Sequence, residues 1–152
     1  MSGLVNPSPS SGPTLVSHQT GLSVTATAAN TMYPIGNSIT VSKNGIVSIT
    51  MSGHVENYNG IIGMTVTRGT TVFTFGTNSL NGSLFQNYAG NGFSTQTMTP
   101  LISQSYASSA GYAGSSPILT LDLLNSDVIQ FTAGNTSAGI ITYIDDVVVM
   151  IQ

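Results

Sequence analysis

The feature that most constrains this chain is its C-terminal segment, Pro117 to Gln152, which alternates like consecutive β-strands. In Ile118 to Leu123, Ile118 and Thr120 share one face, while Leu119, Leu121 and Leu123 share the other, the two-residue period of a strand with one face buried. Asn125-Ser126-Asp127 then reads as a turn, because short polar side chains can bond their own backbone there. Val128-Ile129-Gln130-Phe131 returns, Gly134 to Gly139 reads as a loop, and Ile140 to Ile151 closes the chain. The closing strand contains Val147-Val148-Val149-Met150-Ile151. A short, continuous apolar run rich in β-branched residues is the pattern of a strand buried on both faces. It is expected to be the central strand of a sandwich, or one that also faces a neighbouring subunit.

The rest of the chain follows the same period. Leu22 to Ala28 alternates, and Ser38 to Ser42 and Ile46 to Ser52 flank Lys43-Asn44-Gly45. Asn-Gly between alternating strands predicts a two-residue hairpin, since both central positions need positive φ. The strand after it can run on through Gly53-His54-Val55, and Asn57 to Gly60 turns. A second hairpin is predicted where Ile61 to Thr67 meets Thr71 to Phe75 across Arg68-Gly69-Thr70. From Gly76 to Gly114 the pattern loosens into Asn-Gly pairs and a Ser-rich stretch, with strand-like pieces at Leu84-Phe85 and Thr97 to Ile102. No window carries a capped 3.6-residue apolar stripe, so no long helix is expected. Short strands separated by turn signals indicate a single all-β domain, a sandwich or barrel. At the other end, Ser2 to Pro13 mixes three prolines with Ser, Gly and Asn, a composition unsuited to a sheet. Residues 1–20 are therefore expected to form a flexible arm, and residues 21–152 the folded domain.

Charge decides which functions are open to such a fold. Two basic and five acidic residues make up 5% of the chain, against about 25% in ordinary soluble domains. A net charge of −3 gives no positive field to steer nucleic acid or an acidic membrane. The chain has no cysteine, which removes disulfides, thiolate metal sites and cysteine nucleophiles. The longest apolar run is Val147 to Ile151, far short of the roughly 20 residues of a spanning helix. The first residues show neither the basic start nor the apolar core of a secretory signal. A surface of Ser, Thr, Asn and Gly in place of charge resists precipitation poorly, which fits a chain largely covered by other subunits.

Few residues could carry chemistry. His54 and Glu56 lie two apart on one strand face, the spacing of a His–carboxylate dyad or half a metal site. A site needs a third partner that the sequence does not supply, which favours a solvated polar edge, and His18 falls in the expected arm without a nearby partner. Asp145-Asp146, with Asp127 brought close, could hold calcium through carboxylate oxygens. The chain has no Asp-x-Asp-x-Asp-Gly loop, so a turn or bulge interrupting the strand is the better expectation. Gly111 to Gly114 lacks the Lys-Ser/Thr or helix of a phosphate cradle. Tyr58, Tyr88, Tyr106 and Tyr112 fall among Asn and Gly, a combination suited to sugar or protein contacts or to packing on their own scaffold. Asn81-Gly82-Ser83 and Asn135-Thr136-Ser137 match the glycosylation acceptor pattern. No catalytic residue, cofactor or metal is assigned, and an enzyme is not expected.

Three stretches carry a family resemblance: Ile39 to Val47, Met64 to Val72, and Leu119 to Ile129. Their order resembles the early hairpin, the strand–turn–strand hairpin and the leucine strand–turn–valine strand step of the trimeric jelly-roll heads of the tumour-necrosis-factor and complement-type family, which also occur as virion spike and fibre tips. The chain departs from that pattern at Ile46 and Val47, where the family places an aromatic. It also departs at Asn125-Ser126, in place of a Gly, and in its closing strand. The resemblance spans residues 36 to 152 and implies a single jelly roll, a homotrimer packed on aliphatic and aromatic faces, and binding rather than catalysis. The expected function is structural: a virion component, such as a small capsid, vertex or spike-head protein, assembled in the host cytoplasm. Its partners would be its own copies (three, or five), other virion proteins and a host-surface glycan or protein. The alternative is a secreted or cell-surface lectin-like or complement-like module using its loop tyrosines.

Overall fold

The computed structural model describes residues 12–29, 31–55, 60–75, 102–104, 112–115, 119–135 and 137–152, and every regular element among them is a strand. In chain order these are β1 (Thr14–Thr25), β2 (Thr31–Pro34), β3 (Ile39–Thr40), β4 (Gly45–Val55), β5 (Gly60–Arg68), β6 (Thr71–Phe75), β7 (Ile102–Gln104), β8 (Tyr112–Ser115), β9 (Leu119–Leu123), β10 (Val128–Asn135) and β11 (Ile141–Ile151). They form two antiparallel sheets. One runs β1-β11-β4, with β8 and β9 pairing successive halves of β4; the other runs β2-β10-β5-β6, with β3 also on β10 and β7 also on β5.

One core joins the inner faces of both sheets, a β-sandwich arrangement. Val47, Ile49, Met51, Leu121, Leu123, Ile144, Val147, Val149 and Ile151 come from the β11 sheet. Ile62, Met64, Val66, Phe73, Ile129, Phe131 and Ala133 come from the β10 sheet. Each fully buried aliphatic or aromatic side chain here contributes roughly 1.5–3 kcal/mol. The expected inner positions Leu121 and Leu123 are buried, with Asp122 exposed between them. Arg68 pairs with Thr71 across Gly69-Thr70, as the hairpin pattern predicts. Gly69 has φ 58°, which suits a primed turn with Gly at its first central position. The 125–127 turn forms as well: the Asp127 amide donates to the Leu124 carbonyl at 3.1 Å.

Four expectations change. Lys43-Asn44-Gly45 is not a hairpin: β3 pairs with β10 while β4 pairs with β11, so this connection crosses between sheets. Gly45 does not adopt positive φ. It is small because a Cβ there would overlap the Gln152 carbonyl, where Ile46 and Gln152 exchange backbone hydrogen bonds. Second, the expected arm is too long, because Thr14 to Thr20 pair with β11 in β1. The Gln19 amide also grips residue 37, donating to the Asn37 carbonyl at 3.0 Å and accepting from its amide at 2.8 Å.

Third, β11 is central but not buried on both faces. Val147, Val149 and Ile151 point into the core, while Val148 and Met150 are half-buried on the outer face. Its alternation slips at Asp145, where the register with β4 shifts between Ile144 and Asp146. The neighbouring strand β1 places Gly21, at φ 62°, opposite this slip. Each strand thus accommodates one extra residue at the same level, and the bulge reading of Asp145-Asp146 holds. Fourth, the loop expected from Gly134 begins later, since β10 runs to Asn135. The pieces at Leu84-Phe85 and 97–101 lie outside the described residues.

Candidate functional site

Two polar constellations stand out in a chain with so few charges. The first is closed. Arg68 ends β5 and Asp127 precedes β10, so two turns at one end of the β10 sheet bring them together. Arg68 Nε donates to Asp127 Oδ1 at 2.9 Å, and Nη2 donates to Oδ2 at 2.6 Å. Oδ2 also accepts the Leu124 amide at 2.8 Å. Asp127 is 1% exposed and the Arg68 side chain 20%. Hydrogen bonding to Asp127 holds the Arg68 guanidinium above its ordinary range, against the opposing effect of burial. The Asp127 carbonyl accepts the Val41 amide, and the Ser126 amide donates back to the Val41 carbonyl. This pair therefore ties the β5–β6 hairpin, the β9–β10 turn and the strand exit at Val41 into one unit. Bidentate geometry suits such a fixed link.

The second constellation is open. It lies on the outer face of the β11 sheet, where register sets out rows across the strands. Leu15, Met150, Ser48 and Thr120 form one row, and His18, Val148 and Thr50 the next. Thr20, Asp146 and Ser52 follow. Beyond the first row, Ile46 lies opposite Asp122. Leu15 and Ile46 are 56% and 51% exposed. Beside them His18 Nε2 and Asp146 Oδ1 meet at 2.6 Å, with both side chains about half exposed (50% and 46%).

The weaker reading of Asp127, Asp145 and Asp146 as a calcium set is not what the structure brings together. Asp127 is committed to Arg68, and Asp146, on the other sheet, to His18. Among the described residues no group of three or more His, Cys, Asp or Glu could hold a metal ion. His18 has the partner that the sequence does not suggest. The two are 128 residues apart, and only the antiparallel pairing of the first and last strands brings them together. The same holds for Arg68 and Asp127, 59 apart.

His54 pairs through its backbone with Tyr143 and Ala113, but Glu56 lies outside the described residues, and so does any dyad between them. Tyr58, Tyr88 and Tyr106 lie outside them too, as does Asn81; Tyr112 opens β8 opposite Val55. Asn135 is 1% exposed and its Oδ1 accepts the Ser137 amide at 3.0 Å, so the acceptor residue of that pattern is buried. A further tyrosine, Tyr33, accepts hydrogen bonds from the Thr27 hydroxyl and the Ala28 amide, both at 2.8 Å. The Thr27 bond foremost draws its pKa below the ordinary phenol range. This network staples the β1–β2 connection.

Neither the models of known protein families nor the curated proteins give a match to this chain.

Proposed function

We propose that this chain is a structural protein, a jelly-roll subunit that assembles with copies of itself through the outer face of its β11 sheet, as a virion capsid, vertex or spike-head protein does. The observation that carries the reading is the apolar stripe of Leu15, Ile46, Val148 and Met150 on that face. Contiguous exposed apolar surface on a soluble chain marks an interaction site. On β4 the neutral Ser48, Thr50 and Ser52 flank the stripe, Asp122 lies opposite Ile46, and the His18–Asp146 pair adjoins Val148. A strongly charged partner would find few charges to pair with on this face, whereas a second copy offers the same apolar stripe. A homotrimer, the state the family resemblance implies, would use this face in every subunit.

Strand order supports the jelly-roll reading. Apart from β8, which also pairs with β4, and β7, which also pairs with β5, one sheet runs β1, β11, β4, β9 and the other β2/β3, β10, β5, β6, the alternation between sheets that two interleaved Greek keys would give. Light scattering on the full-length chain, coupled to size exclusion, tests the assembly. A closed oligomer is expected, reduced to single chains by Leu15→Glu with Ile46→Glu. A wild-type chain that stays single at all accessible concentrations would overturn the proposal. The alternative binding module depends on the loop tyrosines, and no described contact favours it over assembly.

A further inference from the structure

The β11 sheet ends, on one side, at a long strand with an open flank. β1 pairs with β11 along one flank, and among the described residues no main chain pairs with the other. β1 is 12 residues long, whereas the described strands at the other edges, β2, β3, β6, β7, β8 and β9, have two to five. An edge of that length exposes a row of backbone donors and acceptors, which natural sheets blunt with lysine, proline or inward-pointing charge. Thr14 to Thr25 holds no Lys, Arg, Asp, Glu or Pro. We propose that this edge is a second contact surface, on which β1 pairs antiparallel with β1 of another copy across a two-fold axis and the two β11 sheets run into one.

Three observations select the strand's own image as its partner. A strand of this length is satisfied along its flank only by one of matching length, and the other described edges are too short. The segment preceding β1 carries prolines at 7, 9 and 13. Those positions have no amide to donate, so a neighbour's N-terminal segment is a poor ladder strand. Like charges placed opposite one another destabilise a strand pair, and the one titratable side chain of β1 is His18, whose Nε2 already meets Asp146 Oδ1. Packing favours the same contact. Val16, Leu22 and Val24 lie at the margin of the core and are only partly buried. A strand laid along the open flank continues the inner face beyond them, so burial of apolar surface adds to main-chain hydrogen bonding.

The register follows from the faces, because opposed residues in a ladder point to the same side of the sheet. Pairing with β11 puts Ser17, Gln19, Leu22 and Val24 on the inner side and Leu15, His18, Thr20 and Ser23 on the outer. The longest overlap that matches inner with inner and outer with outer sets Gln19 opposite its own image. Val16 then meets Leu22, and Leu15 meets Ser23. The overlap of residues 14–24 is about 35 Å long and makes about eight inter-chain hydrogen bonds, within the range of an ordinary interface. Such a contact is isologous and closes on itself. It makes dimers or, joined to the outer-face contact, closed assemblies with an even number of copies.

The edge is a different surface from the outer face, and sedimentation velocity on full-length variants separates the two. Ile46→Glu with Met150→Glu charges the outer stripe, leaves β1 untouched and should give a dimer. Leu15 belongs to both surfaces, so Leu15→Glu with Ile46→Glu also charges the edge and should give single chains. Added to the outer-stripe variant, Gln19→Lys sets like charges across the axis and should weaken the dimer by about fivefold or more. Gln19→Leu loses the same link to Asn37 without adding charge and should keep the dimer. The chain has no cysteine, so single spin labels can be attached after Ser23→Cys or Thr25→Cys in that background. Strand rise puts the label separations across the axis at roughly 27 and 40 Å. Single chains from the outer-stripe variant, at concentrations where the wild type assembles, would overturn the edge contact and leave the outer-face reading standing. A wild-type dimer unchanged by that variant would uphold the edge and overturn the outer face. Label separations that fail to lengthen from 23 to 25 would overturn the antiparallel pairing. Far-UV circular dichroism confirms that each variant keeps its strands.

Discussion

Removing Arg68 should cost this fold more than neutralising Asp127, although the two share the same hydrogen bonds. Asp127 is 1% exposed, whereas 20% of the Arg68 side chain reaches solvent. Arg68→Met leaves a buried carboxylate that keeps the Leu124 amide but loses its countercharge and the donors at 2.6 and 2.9 Å. Breaking a buried pair in this way costs about 3–5 kcal/mol, and solvent access at the arginine end places this pair near about 3 kcal/mol. For a chain of this length that lowers Tm by roughly 6–12 °C. Asp127→Asn keeps an acceptor for the Leu124 amide and leaves a guanidinium that can turn to water, so about 1–2 kcal/mol is expected. In the double variant the arginine loss strands no charge, and the coupling should be about 2 kcal/mol. Urea titration at neutral pH, with m compared across the four proteins, measures this directly. Equal losses for the two single variants, or a loss below about 1 kcal/mol for Arg68→Met, would refute the assignment of Asp127 as the desolvated end.

Backbone positions give sharper tests of the register. Gly53→Ala and Gly45→Ala would drive a Cβ onto the carbonyls of Tyr143 and Gln152; each should destabilise by roughly 2–3 kcal/mol in urea titration, because backbone cannot yield as a side chain does. Gly69→Ala meets nothing within 4 Å but must hold a φ of 58°, so about 1 kcal/mol is expected from that strain alone. Ser126, at φ 72°, bears the same strain now; Ser126→Gly should raise stability by about 0.5 kcal/mol after the greater freedom of glycine in the unfolded chain is subtracted. Asn135, buried and engaged with the Ser137 amide, should carry no glycan in intact-mass analysis after expression in a glycosylating cell.

The parts of this fold that were legible in the sequence are those whose determinants lie within a few residues of one another. The alternation of Leu121, Asp122 and Leu123, the polar turn before Val128, and Gly69 between two threonine-rich strands each specify local geometry, and the structure follows them. Asn44-Gly45 misleads because a glycine answers two different demands. Positive φ is visible from its neighbours in sequence, whereas room for the Gln152 carbonyl is visible only once the last strand lies beside β4. Asn44 has a role all the same: its Oδ1 accepts the Asn125 amide at 2.8 Å, linking the sheet crossover to the β9–β10 turn.

The apolar run of β11 shows where a local reading fails and what it leaves out. Counted as a block, Val147 to Ile151 looks buried on both sides. Phased through the slip at Asp145, it divides into three residues for the core and two for the outer face. That slip has a second consequence, because it lies beside the level at which β1 brings His18 to Asp146. Had β11 kept a strict two-residue period from Thr142 and Ile144, Val148 and Met150 would face the core, and Val147, Val149 and Ile151 would face outward. The bulge, matched by Gly21 on β1, therefore sets both which valines fill the core and which apolar pair stands outside next to the His18–Asp146 contact. Core and candidate interface are two sides of one phase decision, so deleting Asp145 alone, without Gly21, should disturb both together.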